Sequence, residues 1–191
     1  MTKAEARQAT KKAIASMSAE DREWASGAIC DALSGIEEFC RAHSVFVFLG
    51  TDTEPDTEEI VGLALMLERT VSVPRVKGRD MEAIVISPYT NFKRNKWNIL
   101  EPVGGHATDD IDVAVIPLVA FDGLKRVGHG GGYYDRFLST HDCIKIGIAF
   151  ECQSVECLEV EDFDIPLDML VTEKRIITPY GERKNEFGER E

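Results

Sequence analysis

Strand-like and helix-like stretches alternate along this chain, and the alternation predicts an α/β domain built on a mostly parallel sheet. Two observations carry the expectation. Short β-branched and aromatic runs recur, as in "SVFVFLG", "TVSVPRV" and "CIKIGIAF", and apolar residues at three- and four-residue spacing lie between several of them. A length of 191 residues suffices to bury one sizeable core. There is no internal repeat, low-complexity linker or composition break, so a single α/β domain over 1–180 is expected.

Lys3 to Met17 reads as a first helix, with Ala6, Ala9, Ala13, Ile14 and Met17 on its apolar side. Ser18-x-x-Asp21 is a capping pattern, after which Ala25, Ile29, Leu33, Ile36 and Cys40 recur at helical spacing, predicting one amphipathic helix. "SVFVFLG" reads as a buried strand closed by glycine. "TDTEPDTEEIVGLALMLER" gives a loop, an N-cap at Asp56 or Thr57 and a helix through about Leu67. "TVSVPRV", "MEAIVIS", "IDVAVIPLVAF", "CIKIGIAF" and "DMLVTEKRII" supply further strands. "GGYYDRFLST" and the stretch around Gln153 to Leu158 are short helical candidates. The polar tail "GERKNEFGERE", residues 181–191, is expected to be disordered.

Against 34 acidic residues stand 22 basic ones, a formal charge of −12. That balance repels phosphate backbones and anionic lipid at long range, which argues against nucleic acid or a membrane as partner. Small-molecule ligands remain open, because a local nest of N–H groups binds an anion whatever the net charge. Nothing points to an obligate protein partner. The start "MTKAEARQATKK" has no apolar core of a signal peptide. The five cysteines are odd in number and lack a Cys-x-x-Cys pair, so neither a disulfide framework nor a zinc site is expected. Reduced thiols in a cytoplasmic protein fit best, with Cys30 and Cys40 as buried small hydrophobes.

"RVGHGGGYYDRFL" sets four glycines in the five positions from Gly128 to Gly132. Glycine tolerates positive φ and close approach to the backbone, so such a loop makes a concave nest, and a helix start behind it adds unpaired donors. A phosphate site and a tight structural turn both follow from this composition. The spacing matches neither the P-loop nor the dinucleotide fingerprint.

"FDGLKRVGHGGGYYDRFL" resembles the signature of the 5-formyltetrahydrofolate cyclo-ligase family, also called 5,10-methenyltetrahydrofolate synthetase. The chain is also similar to that family at Lys3-x-x-x-Arg7, the strand ending before an acidic loop, "WNILEP", "IPLVAFD", "IGIAFECQ" and "DIPLDMLVTE". These motifs run in the family's order from Lys3 to Glu173.

The resemblance implies a three-layer α/β/α sandwich related to phosphosugar isomerase and CoA-transferase folds. It also implies ATP- and magnesium-dependent conversion of 5-formyltetrahydrofolate to 5,10-methenyltetrahydrofolate, with release of ADP and phosphate through a phosphorylated formyl intermediate. Carried over by motif, Arg126, Val127, Gly128, His129, Gly130, Gly131, Gly132, Tyr133 and Tyr134 would hold the ATP phosphates. Lys3 and Arg7, one helical turn apart, would reach the same phosphates. Asp135 and Asp164 would be magnesium ligands, the hard oxygen donors that ion prefers. Glu54 and Leu49 would contact folate, and Tyr133 and Trp97 would pack on its rings.

Bland alternatives stand beside these roles: a solvated acidic run at Asp164, a solvated basic start at Lys3 and Arg7, and a core or rim place for the aromatics. For His129 a polar loop side chain near phosphate is preferred to a general base, and no acid–base pair is nominated. Two departures from the family are Val127 with a turn one residue shorter before the loop, and His129 where relatives often carry a basic or aromatic residue. The rival functions are a non-catalytic nucleotide- or folate-binding relative and a sugar-phosphate or CoA enzyme on the same fold.

Overall fold

The computed structural model describes residues 1–188. In chain order it contains α1 (Lys3–Ala15), α2 (Ala19–Ser34), α3 (Glu37–Arg41), β1 (Ser44–Val47), α4 (Glu58–Met66), β2 (Thr70–Lys77) and β3 (Asp80–Val85). There follow β4 (Phe92–Arg94), β5 (Leu100–Pro102), β6 (Val113–Pro117), β7 (Ala120–Asp122), β8 (Lys125–Val127) and α5 (Tyr133–Leu138). The remainder is β9 (Ile144–Ile148), β10 (Met169–Val171), β11 (Arg175–Thr178) and β12 (Gly181–Lys184).

Eight strands form the main sheet in the order β12-β11-β10-β9-β6-β1-β2-β3. The five from β10 to β2 pair in parallel; β3 at one end and β11 and β12 at the other add antiparallel pairs, with β3 and β12 as the edges. Side chains alternate between the two faces, as strand geometry requires. Val45, Val47, Val113 and Val115 face α2, α3 and α4 through Ile29, Leu33, Phe39, Ile60 and Ala64. Phe46, Ala114 and Ile116 face α5 through Phe137 and Leu138. Strands buried on both sides read as continuous apolar runs, which is why "SVFVF" and "VAVI" were visible in the sequence. The α/β class with a mostly parallel sheet flanked by helices is what the alternation of elements predicts.

Several local expectations are corrected. The helix predicted to run from Ser18 past Cys40 stops at Gly35 and restarts as α3, because Gly35 caps α2 and Ile36 turns to extended backbone. Cys30 is buried as expected, but Cys40 is exposed, its thiol donating to the Ser34 carbonyl. "IDVAVIPLVAF" divides into β6 and β7, and "DMLVTEKRII" into an antiparallel pair. The short helix expected around Gln153 to Leu158 is reduced to one 3-10 turn over Glu151–Gln153.

The tail is also different from expectation. Residues 181–184 form the edge strand β12, and Asn185 is buried, its amide donating to Ala28 O and Thr172 O at 3.1 and 2.9 Å. Glu189, Arg190 and Glu191 lie outside the described residues. Among the described residues no helix is long and apolar enough to cross a membrane.

Candidate active site

A cleft of about 1620 Å³ opens where β1, β2 and β6 end. Open α/β sheets bind ligands at the carboxyl ends of their strands. The walls are the loop after β1, the first turn of α1, the β4–β5 hairpin, the 161–164 loop and the segment between β8 and α5. Every site residue nominated from the sequence lines it: Lys3, Arg7, Leu49, Glu54, Trp97, Arg126 through Asp135, and Asp164.

The segment from Gly128 to Gly132 enters from a small hairpin, β7 and β8, whose two-residue turn carries Gly123 at φ 59°. Gly130 and Gly132 adopt φ of 98° and 64°, the left-handed region where a side chain is strained. A Cβ on Gly132 would lie 2.7 Å from an Arg136 guanidinium nitrogen, and one on Gly130 3.4 Å from Arg7 Nη2. Arg7 lies against the loop and donates from Nε to Gly128 O at 2.8 Å. Gly132 then caps α5.

Cations and carboxylates pair around this loop. Arg126 is buried, and its Nη2 donates to Asp135 Oδ1 at 2.6 Å, while Ile165 N–H donates to the same oxygen at 3.2 Å. Burial pulls the Arg126 guanidinium below its ordinary range, and Asp135 opposes the shift. Arg126 Nε is buried without a hydrogen-bond partner. Next to this pair Lys3 Nζ lies 2.6 Å from Asp164 Oδ2 and 2.6 Å from Glu161 Oε2, with its charge over the Phe163 ring. Burial works against that ammonium, yet Asp164 and Glu161 hold its pKa above the usual lysine value. The two nominated metal carboxylates are thus each engaged by a cation. Among the described residues no group of three or more His, Cys, Asp or Glu is placed to hold a metal ion. Magnesium commonly takes only one or two carboxylates, completing its shell with phosphate and water, so the oxygen donors of Asp135 and Asp164 fit its chemistry.

The other half of the cleft is aromatic and acidic. Trp97 and Tyr133 meet edge to face at 6.2 Å, and Tyr133 is flanked by the Arg136 guanidinium at 5.2 Å. Tyr134 instead points into the protein against Phe46 at 6.5 Å, and burial holds its phenol protonated far above the ordinary range. Its side chain packs against both core clusters while bordering the cleft. Glu54 folds back on its own loop, Oε2 accepting from Thr51 N at 3.1 Å and Thr51 Oγ1 at 2.8 Å. Glu54 Oε1 lies 3.3 Å from His129 Nε2.

The model of the 5-formyltetrahydrofolate cyclo-ligase family matches residues 1–173. The chain belongs to that family. It is 34% identical over 146 residues to the Escherichia coli K12 5-formyltetrahydrofolate cyclo-ligase, covering 71% of this chain and 80% of the relative. To the probable cyclo-ligase of Caenorhabditis elegans it is 30% identical, covering 92% and 94%. The structure of Aquifex aeolicus 5,10-methenyltetrahydrofolate synthetase superposes with a TM-score of 0.79 at 29% identity, covering 99% of this chain and 95% of that one.

In this cyclo-ligase family member, several cleft residues escaped the sequence reading, among them Glu161, Glu101, Arg94 and Phe163. Glu101 is buried and accepts from Val76 N at 3.0 Å and Asn95 Nδ2 at 2.9 Å, pinning the β4–β5 hairpin to β2. It is the acidic residue of "WNILEP", a motif quoted for its resemblance but given no role. Arg94 and Phe163 line the same cleft; Phe163 directly precedes "DIPLDMLVTE", and Arg94 lies three residues before Trp97 of "WNILEP".

Proposed function

We propose that this chain uses ATP to close 5-formyltetrahydrofolate to 5,10-methenyltetrahydrofolate, releasing ADP and phosphate. The observation that carries the proposal is that the glycine loop with Arg7 and Arg126, and the Trp97–Tyr133 pair with Glu54, open onto one cleft. Two substrates can therefore meet there. The formyl oxygen attacks the γ-phosphorus, ADP leaves, and the formyl carbon is left activated on nitrogen-5. Nitrogen-10 then attacks that carbon, and phosphate departs with the oxygen and takes up the proton that nitrogen-10 sheds.

The protein's part is positioning and charge neutralisation, as phosphoryl transfer generally demands. N–H groups of the glycine loop receive phosphate oxygens, and Arg7 and Lys3 offset their charge. Arg126 supplies a guanidinium nitrogen with no partner, and Asp135 and Asp164 would hold magnesium. When bound, that ion would neutralise charge on the transferring phosphoryl group. Glu54 and Leu49 orient the folate, and Trp97 and Tyr133 pack on its rings and exclude water. No side chain here is required as an acid–base pair.

The test is to mix purified protein, MgATP and 5-formyltetrahydrofolate and follow the methenyl chromophore together with ADP. Stoichiometric appearance of both is expected. Folded protein that yields neither overturns the proposal. A thermal-shift panel of ATP, folates, sugar phosphates and CoA separates it from a binding-only protein or a sugar-phosphate or CoA enzyme.

A further inference from the structure

His129 makes a contact that joins two otherwise separate loops. It projects from the glycine loop with its side chain 71% exposed, and its Nε2 lies 3.3 Å from Glu54 Oε1, whose side chain is only 10% exposed. Glu54 spends Oε2 on its own loop, accepting from Thr51 N and Thr51 Oγ1, so Oε1 is the oxygen turned to His129. The backbone beneath the histidine is held by Arg7, which donates to Gly128 O, and by the left-handed turn at Gly130. One imidazole thus ties the loop assigned to ATP to the carboxylate assigned to folate.

We infer that His129 is a positioning residue that couples the two substrate sites, its imidazolium holding Glu54 so that ATP on the glycine loop and folate beside Glu54 each tighten the other. The inference rests on the cyclo-ligase reading. Binding is reciprocal by thermodynamic necessity: if ordering the glycine loop around phosphate fixes His129, and His129 fixes Glu54, folate must strengthen ATP binding by the same factor. The charged groups that face His129 are Glu54, from the loop after β1, and Arg7, from α1. Glu54 raises the imidazole pKa above its ordinary value, while burial and Arg7 oppose it. The coupling is therefore complete at pH below the ordinary histidine range and fades as pH rises through the elevated pKa.

The experiment measures the dissociation constant of a non-hydrolysable ATP analogue with magnesium, alone and with saturating 5-formyltetrahydrofolate. It is done at about pH 6 and about pH 8.5, for the parent, His129→Gln and His129→Arg. For the parent we expect a coupling of about fivefold or more at the lower pH, shrinking toward unity at the higher. His129→Arg, charged throughout, keeps the coupling at both, and His129→Gln loses it at both. Parent-like coupling in His129→Gln, or coupling in the parent that is absent or indifferent to pH, overturns the inference. A parent that forms no methenyl product refutes the cyclo-ligase reading itself, so the two failures are told apart.

Discussion

The two ends of the parallel strands are built on opposite principles. At the amino ends, polar groups close on one another. Asp112 Oδ2 accepts from the N–H groups of His43 and Ser44 at 2.7 and 2.9 Å, and Asp168 Oδ2 accepts from Lys145 N at 2.8 Å while pairing with Lys145 Nζ at 2.8 Å. At the carboxyl ends, groups are held ready for something else. Arg126 Nε is buried without a partner, Gly130 and Gly132 hold left-handed backbone, and His129 is exposed. A buried donor left unpaired costs about 1–3 kcal/mol. Among the described residues the buried side-chain nitrogen that bears this cost lies on the cleft side, where a bound ligand would complete its bonding. Substitutions at the carboxyl end should therefore read out in binding and turnover, and those at the amino end in stability alone.

The largest effect is expected at the loop. In Gly132→Val a β-branched side chain would sit at φ 64° with its Cβ 2.7 Å from Arg136. Relieving this moves the nest out of shape, so the affinity for the ATP analogue should fall at least about thirtyfold, which is about 2 kcal/mol. Folate affinity, measured in the absence of nucleotide, should change much less. Parent-like ATP binding would make the loop a structural turn and erase the contrast between the two ends.

Asp135 sharpens the comparison because it serves both purposes. An Asn there keeps an acceptor for Arg126 and Ile165 N–H, but it removes the negative charge beside a guanidinium whose side chain is 2% exposed. Melting temperature should fall, since burying an uncompensated charge is costly. Turnover should fall at least about tenfold, near 1.4 kcal/mol of transition-state stabilisation, and added magnesium should restore part of it. Turnover unchanged across a magnesium titration would leave Asp135 as a partner of Arg126 and nothing more.

That double engagement shows where sequence reading ends. The buried strands and the helix periodicity were legible because local pattern reports burial directly, and the glycine run was legible because few side chains tolerate such backbone. The pairings were not. Arg126 and Asp135 were assigned separately, to phosphate and to metal, and Lys3 and Asp164 are 161 residues apart and meet only after the sheet closes. The tail failed for a related reason: "GERK" reads as solvated chain, yet an edge strand is held by main-chain bonds that composition does not report. Asn185 is polar because it serves two carbonyls, one on α2 at Ala28, 157 residues away, and one at Thr172 just past β10. The hydrogen bond between His129 and Glu54, two loops apart, was likewise invisible to any local pattern.

The smallest effect, and the cleanest test of the amino end, is at Asp112. Hydrogen bonds from the Ser44 and His43 N–H groups hold its carboxyl below the ordinary value of 3.8, against a smaller opposing effect of burial. A depressed carboxylate contributes stability above its unfolded pKa and loses it as pH falls through the folded one. Asp112 should thus support the fold at neutral pH and cease to do so below about pH 4. It is exposed, so solvent screening limits the contribution to less than about 1 kcal/mol. Asp112→Asn keeps an acceptor without a charge. Its urea midpoint should lie slightly below the parent's at pH 7 and converge with it in acid, while turnover at neutral pH stays the same. A turnover loss approaching that of Asp135→Asn would place function at the amino end of the strands and dissolve the distinction. Midpoints that stay parallel across the whole pH range would show instead that the two N–H donors give Asp112 no preference for the charged state.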